Sequence, residues 1–273
     1  MELKGSVAVI TGGARGVGKA IVKAYIDRGA HVAIVDMLEE QLQETAAEME
    51  KAGGTVLPVF TDITIPSQVD AMAEKVQNEL GPIDILINNA GTFSVIGPVW
   101  EVDPERWFRD IRTNLYGSFL VCHAVVKGMV ERKSGYVINV VSSGGVGDPH
   151  AYSTSYASSK TGLMRLTEGL AKEAREHGVK VFAIAPPAIL TEMTRFIMND
   201  PGGQKWRPGF GKIFEEGRAA PPEKVAKMAV EIVSGKADAL TGRYFLVSRD
   251  LDDIIEQTDE IVSKDLMTLR LRM

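Results

Sequence analysis

Seven short runs of β-branched and other apolar residues, separated by longer stretches with helical periodicity, constrain this chain more than any single motif. They are "VAVIT" (7–11), "HVAIVD" (31–36), "TVLPVF" (55–60), "DILIN" (84–88), "YVINVVS" (136–142), "VKVFAIA" (179–185) and "RYFLV" (243–247). Runs that are apolar almost throughout suit strands covered on both faces of a parallel sheet. The intervening segments read as helices with clear stops. Leu38, Leu42, Ala46 and Met49 share one helical face before Gly53 and Gly54, and "SQVDAMAEKVQNEL" runs from a Pro-Ser start to Gly81-Pro82. The alternation predicts a doubly wound α/β architecture: one domain over residues 1–249, a mostly parallel seven-stranded sheet, and right-handed crossovers placing helices on both faces.

Composition narrows the partners. The formal net charge is −5 and no basic tract is present, which argues against a nucleic-acid partner. The single cysteine, Cys122, leaves no intrachain disulfide and reads as a small buried apolar residue. The opening "MELKGSVAVI" has no signal-peptide pattern and no apolar stretch is long enough to span a bilayer, so a soluble cytoplasmic protein is expected. His31, His123, His150 and His177 show no metal-ligand spacing, and no metal is expected.

Two regions break the alternation. Residues 188–221, "AILTEMTRFIMNDPGGQKWRPGFGKIFEEGRAAP", form a long insertion of aromatics, methionines and turn residues, the kind of segment that serves as a lid or substrate loop. Beyond the last strand, in residues 250–273, Leu251, Ile254, Ile255, Thr258, Val262 and Leu266 fall at helical spacing, predicting an amphipathic helical tail whose stripe covers the chain's own pocket or a neighbour's.

"TGGARGVG" (11–18) lies between the first strand and the first helix. There Gly12, Arg15, Gly16, Val17 and Gly18 can form a tight turn and an anion cradle at a helix N-terminus. Asp36 closes the second strand, where a carboxylate accepts hydrogen bonds from adenosine ribose hydroxyls and repels a 2′-phosphate. NAD is therefore expected over NADP, although Arg15 could instead hold a 2′-phosphate. Asp36 could also cap the following helix.

With "NNAG" at 88–91, Asn114 in "NLYG", the pair Ser142-Ser143 and Tyr156-x3-Lys160 added to the glycine turn, the span from about residue 3 to 247 resembles the short-chain dehydrogenase/reductase family. The resemblance implies a Rossmann fold and hydride exchange between NAD(P) and a secondary alcohol or ketone. It implies that Asp62 and Ile63 meet adenine and that Asn89, Ala90 and Gly91 pass the adenosine ribose. Pro186, Ile189 and Thr191 would address the nicotinamide, with Pro187 standing where the family usually has glycine; Thr191 could equally cap a helix. Tyr156 and Lys160 also belong to this cofactor set, Lys160 through the ribose, while Asn114 would hold a water that links the lysine to solvent.

The chemistry requires an acid/base group beside the substrate oxygen. Positions i and i+4 share a helical face, so Lys160 can favour the Tyr156 phenolate by Coulomb attraction. Tyr152 has only Tyr156 at that spacing and reads as a packing or pocket residue. Ser143, 13 residues before Tyr156, matches the family's serine spacing and is expected to polarise the substrate oxygen, with Ser142 the weaker candidate. Specificity is expected from residues 144–153 and 188–221, where Arg195, Lys205, Arg207 and Lys212 could meet a carboxylate or phosphate. A homodimer or homotetramer is expected; since the family's usual final Val-Asp-Gly-Gly run is replaced by "RYFLVSRD" (243–250), the tetramer is the less secure of the two. An NADP-dependent carbonyl or 3-oxoacyl reductase, a non-catalytic nucleotide-binding regulator, and a dehydratase or epimerase on the same fold remain as alternatives.

Overall fold

The computed structural model describes residues 3–145 and 150–270. Through the first half, strand and helix alternate: β1 (Val7–Thr11), α1 (Gly16–Ile26), β2 (His31–Asp36), α2 (Glu39–Lys51), β3 (Thr55–Phe60), α3 (Pro66–Glu79), β4 (Ile83–Asn88), α4 (Pro104–Ile111), α5 (Ser118–Arg132) and β5 (Gly135–Val140). The second half holds α6 (Thr154–Ala174), β6 (Val179–Ala185), α7 (Glu192–Asn199), α8 (Pro201–Trp206), α9 (Lys212–Glu215), α10 (Glu223–Glu231), β7 (Tyr244–Leu246), α11 (Leu251–Ile255) and α12 (Thr258–Ser263). The seven strands form one sheet in the order β3-β2-β1-β4-β5-β6-β7, and every pairing is parallel. The expected fold is therefore present, without an antiparallel strand.

Why the strands read as continuous apolar runs is visible in their packing. Alternate residues of a strand point to opposite faces. Ala8 and Ile10 belong to the layer that holds α1, α2 and α10, whereas Val7 and Val9 belong to the layer that holds α3 and α5. With helices on both faces, neither set can be polar. Cys122 is buried in the second layer, and the Asn88 amide donates to its sulfur.

The strand order reverses between β1 and β4. In such sheets a crevice opens at the carboxyl ends of the strands where the order changes, and the ends of these two strands carry the glycine turn and residues 89–91.

Three segments differ from the sequence expectation. Residues 188–221 are not an irregular loop: Thr191 caps α7 through a capping box with Thr194, and Asp200, followed by Pro201, accepts from the Gly202 and Gly203 amides to start α8. Between α4 and α5 the chain makes a π-helical turn over Arg112–Gly117. The tail is two short helices that break at Glu256 and Gln257, which turns Ile261 inward beside Leu251 and Ile254 and leaves Val262 and Leu266 exposed. The tail thus packs on its own core. Further along, the Tyr244 amide of β7 donates to the Met267 carbonyl (3.1 Å), and the Leu269 amide donates to the Glu168 carboxylate of α6 (2.7 Å).

Candidate active site

A cleft of about 1290 Å³ lies over the carboxyl ends of β1, β4 and β5. At one side is the glycine turn. Gly12 has φ +64°, a conformation that favours glycine, and its amide donates to the Val35 carbonyl (2.8 Å). A side chain at Gly18 would overlap the Gly12 carbonyl oxygen, so the turn closes onto α1 only with glycine there. The Asn89 amide group locks the arrangement by donating to the carbonyls of Thr11 (3.0 Å) and Gly12 (2.9 Å). Arg15, extended before α1, offers no side-chain cap, and the first turn of α1 has no acid. Its leading amides are therefore free for an anionic group. Gly16 and Val17 line the cleft, and Gly16 faces Thr191.

Asp36 stands at the end of β2, nearly buried. One carboxylate oxygen accepts from the Ala14 amide (3.1 Å) and the other from the Leu38 amide (3.1 Å). It makes an Asx-type turn instead of capping α2, whose N-cap is Leu38. Asp62 and Ile63 line the same end, with Ile63 seated where Gly117 of the π-helical turn leaves room for it. Ala90 and Gly91 form the middle of the cleft, while Pro186, Ile189 and Thr191 form the wall across from the glycine turn.

The catalytic candidates meet at the end of β5 and the start of α6. Lys160 is 3% exposed, and its ammonium donates to the Val140 carbonyl (2.8 Å). A Cβ at Gly91 would sit 3.4 Å from that ammonium and 3.1 Å from the Asn114 side-chain oxygen, so only glycine lets the cleft reach both. Asn114 is fully buried in the π-helical turn. Its oxygen accepts from the Thr92 amide (2.7 Å), and its amide group donates to the Thr92 carbonyl (2.9 Å) and the Ser159 hydroxyl (2.9 Å). The widened turn explains how an asparagine of poor helix propensity comes to point inward here. Tyr156 stacks on Phe93 with ring centroids 4.8 Å apart.

The two serines of the pair are placed differently. Ser143 is exposed, opens a 3₁₀ turn (Ser143–Gly145) and is not among the residues that line the cleft, while Ser142 lines it and its hydroxyl acts on the Tyr156 phenol. The Gly144 amide donates to the Ser142 oxygen (3.3 Å), which leaves the Ser142 proton free to be donated elsewhere. Of the expected specificity segment 144–153, residues 146–149 lie outside the described residues. Tyr152 packs on Trp206 (ring centroids 4.7 Å apart).

Burial pushes the Tyr156 phenol up to about 12, against the Ser142 hydroxyl, which lowers it; the Asp110 carboxylate raises it and the Arg207 guanidinium lowers it. Burial brings Lys160 down to about 8, with Asp110 opposing. The lysine ammonium is 5.8 Å from the Tyr156 ring centroid. The Arg207 guanidinium, which the helical spacing did not point to, is thus a second cation whose charge acts on this phenol.

Sequence reading missed Asp110 altogether. It is fully buried, its oxygens accept from the Ser94 amide (2.7 Å) and the Ser155 hydroxyl (2.6 Å), and burial raises its pKa. The signal was present: Asp110 lies four residues before Asn114, on the same helical face. Because its negative charge raises the pKa of both Tyr156 and Lys160, Asp110→Asn removes that push. The pH profile of kcat/KM should shift toward acid, measured between about pH 6 and about pH 10. An unmoved profile would show that Asp110 does not act on the pair.

Among the described residues no cluster of His, Cys, Asp and Glu is suited to a metal, and no helix is long and apolar enough to cross a membrane. The model of the short chain dehydrogenase family matches residues 6–202. The chain belongs to this family. Similar proteins include the D-threitol dehydrogenase of Mycolicibacterium smegmatis, 34% identical, with 90% of this chain and 92% of that protein covered. The 3-alpha-(or 20-beta)-hydroxysteroid dehydrogenase of Mycobacterium bovis is also 34% identical, with 90% and 89% covered. Among solved structures, a variant of actinorhodin polyketide ketoreductase with NADPH superposes with a TM-score of 0.81 at 28% identity, covering 89% of this chain and 95% of that one. The short chain dehydrogenases are NAD(P)-binding oxidoreductases, and the cleft of this member suits a dinucleotide in form: a glycine cradle with uncapped helix amides at one side, and the carboxylates of Asp36 and Asp62 on its lining.

Proposed function

We propose that this short chain dehydrogenase is an NAD-dependent enzyme that interconverts a secondary alcohol and a ketone. The observation that carries the reading is the convergence of Ser142, Tyr156 and Lys160 at one end of the dinucleotide-shaped cleft. When bound, the nicotinamide supplies or accepts the hydride. Ser142, its oxygen already engaged by the Gly144 amide, donates to the substrate oxygen. Tyr156 gives its proton to that oxygen in reduction and takes it back in oxidation. A phenol held near 12 is an acid at neutral pH, so the resting site is set for reduction, and oxidation speeds up as pH rises. Lys160, charged below about 8, adds positive charge to the phenol's surroundings and reaches toward Gly91, where the ribose would pass. A non-catalytic regulator has no use for these three groups together.

Asp36 supports NAD over NADP, because its carboxylate stands at the adenosine end, where a 2′-phosphate would meet a like charge. Arg15, also on the cleft wall, supports the second reading, an NADP-dependent reductase. The test is a screen of secondary alcohols and ketones with NAD(H) and NADP(H), followed by nicotinamide absorbance. The expected kcat/KM favours NAD(H) by at least about tenfold, and Asp36→Asn narrows that preference. A preference for NADP(H) would assign the 2′-phosphate to Arg15. Turnover without net change in nicotinamide absorbance would indicate dehydration or epimerisation.

The assembly this reading favours is a homodimer, since the chain's own residues 267–270 already lie against β7 and α6.

A further inference from the structure

The wall next to Tyr156 on the side of α7 and α8 is apolar. Phe93, Ile96 and Ile197 form a buried cluster, with Tyr156, Trp206 and Phe210 packed against it. One full charge is set into this wall. Arg207, the residue after α8, places its guanidinium over the Phe210 ring, 4.9 Å from the centroid, and donates to the Ser153 hydroxyl at 3.5 Å, one helical turn before Tyr156.

Among the described residues no carboxylate pairs with Arg207 within 4 Å; burial lowers its pKa, and the Tyr156 phenol opposes that shift. The other cations of this segment are differently placed. Arg195 is exposed and pairs with Glu192 (3.7 Å), Lys205 is exposed and stacks on Trp206, and Lys212 is exposed. A half-buried guanidinium without a carboxylate partner is a costly feature unless a ligand completes it. An aromatic face beneath it keeps the planar fork oriented while covering one side from water.

We propose that Arg207 is the receptor for an anionic substrate: the secondary alcohol or ketone carries a carboxylate a few bonds from its reacting carbon, and Arg207 holds that carboxylate while Ser142 and Tyr156 address the oxygen. This rests on the oxidoreductase reading above. A carboxylate is favoured over a phosphate because the fork of one guanidinium matches two carboxylate oxygens, and among the described residues the segment's Arg195 and Lys205 are engaged elsewhere, by Glu192 and by the Trp206 ring. The short reach follows from the position of Arg207, which bonds to Ser153 one helical turn before Tyr156 and lies over Phe210, a ring packed on the same cluster as Tyr156. A bound carboxylate also cancels the pull of Arg207 on the phenol, which raises the phenol's pKa and favours its proton-donating form.

The test compares 2-, 3- and 4-oxo acids with their methyl esters as substrates for the wild type, Arg207→Lys, Arg207→Gln and Lys205→Gln. The ratio of kcat/KM values, acid over ester, is taken within each preparation, so a partly folded variant still gives a valid ratio. The wild type should favour the acid by roughly 10- to 100-fold at one chain length. Arg207→Gln should bring the ratio to within a few-fold of unity, Arg207→Lys should keep part of it, and Lys205→Gln should keep it whole. In parallel, calorimetry with butyrate and butyramide, and with benzoate and benzamide, uses protein loaded with NAD. The carboxylates should bind at least about tenfold more tightly than the amides to the wild type, but not to Arg207→Gln. Esters matching acids at every length, or an acid preference that survives Arg207→Gln, would overturn the proposal. Absence of oxidoreductase turnover alongside an Arg207-dependent carboxylate preference in calorimetry would overturn the reaction and leave the anion site standing.

Discussion

Tyr156→Phe is expected to lower kcat/KM by about 10²–10⁴-fold in either direction of the reaction, the range associated with removing a positioned general acid or base. The substitution keeps the aromatic ring, so the stack on Phe93 and the buried cluster beyond it have the same surface to pack against. What disappears is the hydroxyl on which Ser142, Asp110 and Arg207 all act. A loss of a thousandfold is about 4 kcal/mol of transition-state stabilisation, far beyond what one neutral hydrogen bond contributes to folding. The measurement is initial rate by nicotinamide absorbance, with the thermal midpoint recorded beside it. Lys160→Met should also be deleterious, and the double variant should be little worse than Tyr156→Phe alone, because groups that act as a unit do not add. Full additivity would mean that the lysine works independently of the phenol. Retained turnover in Tyr156→Phe would mean that another group moves the proton.

How far the sequence carried depends on whether a feature is local. The seven strands were legible because burial on both faces removes polar residues from them, and the two core layers account for that. Tyr156 and Lys160 were legible as a pair because helical spacing is fixed, and both fall within α6. Yet the i, i+4 step gave the shared face and not the hydrogen bond: the lysine ammonium turns to the Val140 carbonyl, and a second cation, Arg207, 51 positions after Tyr156, also acts on the phenol. No local pattern encodes such a meeting. Asp110 escaped for a related reason, since its partners Ser94 and Ser155 come from two other segments. The three short helices between residues 192 and 215 were hidden by their glycines and prolines, because the caps that start them at Thr191 and Asp200 also occur in ordinary turns. In the tail, the break after Ile255 moved the inward position from Val262 to Ile261, a change that a continuous helical wheel cannot anticipate.

The serine pair offers the sharpest contrast between counting and geometry. Thirteen residues back from Tyr156 is Ser143, but that count assumes one length for the segment between the end of β5 and the start of α6. From the strand side the geometry is better fixed. The Val141 amide still donates to the Ile184 carbonyl (2.8 Å), extending the pairing with β6 one residue past β5, and Ser142 is the next residue; the Gly145 amide then bonds back to the Ser142 carbonyl (3.0 Å) and turns Ser143 outward. Ser142→Ala is therefore expected to lower kcat by about 10²–10³-fold, the usual effect of losing a donor aimed at developing negative charge on oxygen. Ser143→Ala should change it by no more than about twofold, as for an exposed side chain outside the cleft. Both variants are conservative in volume, so steady-state kinetics on the pair separates the two positions. Equal losses would mean that the turn itself is being damaged, and a larger loss in Ser143→Ala would restore the register that counting back from Tyr156 gives. The expected order also bears on the phenol: Ser142 lowers its pKa, so Ser142→Ala should move the rise of the oxidation rate to higher pH, while Ser143→Ala leaves it in place.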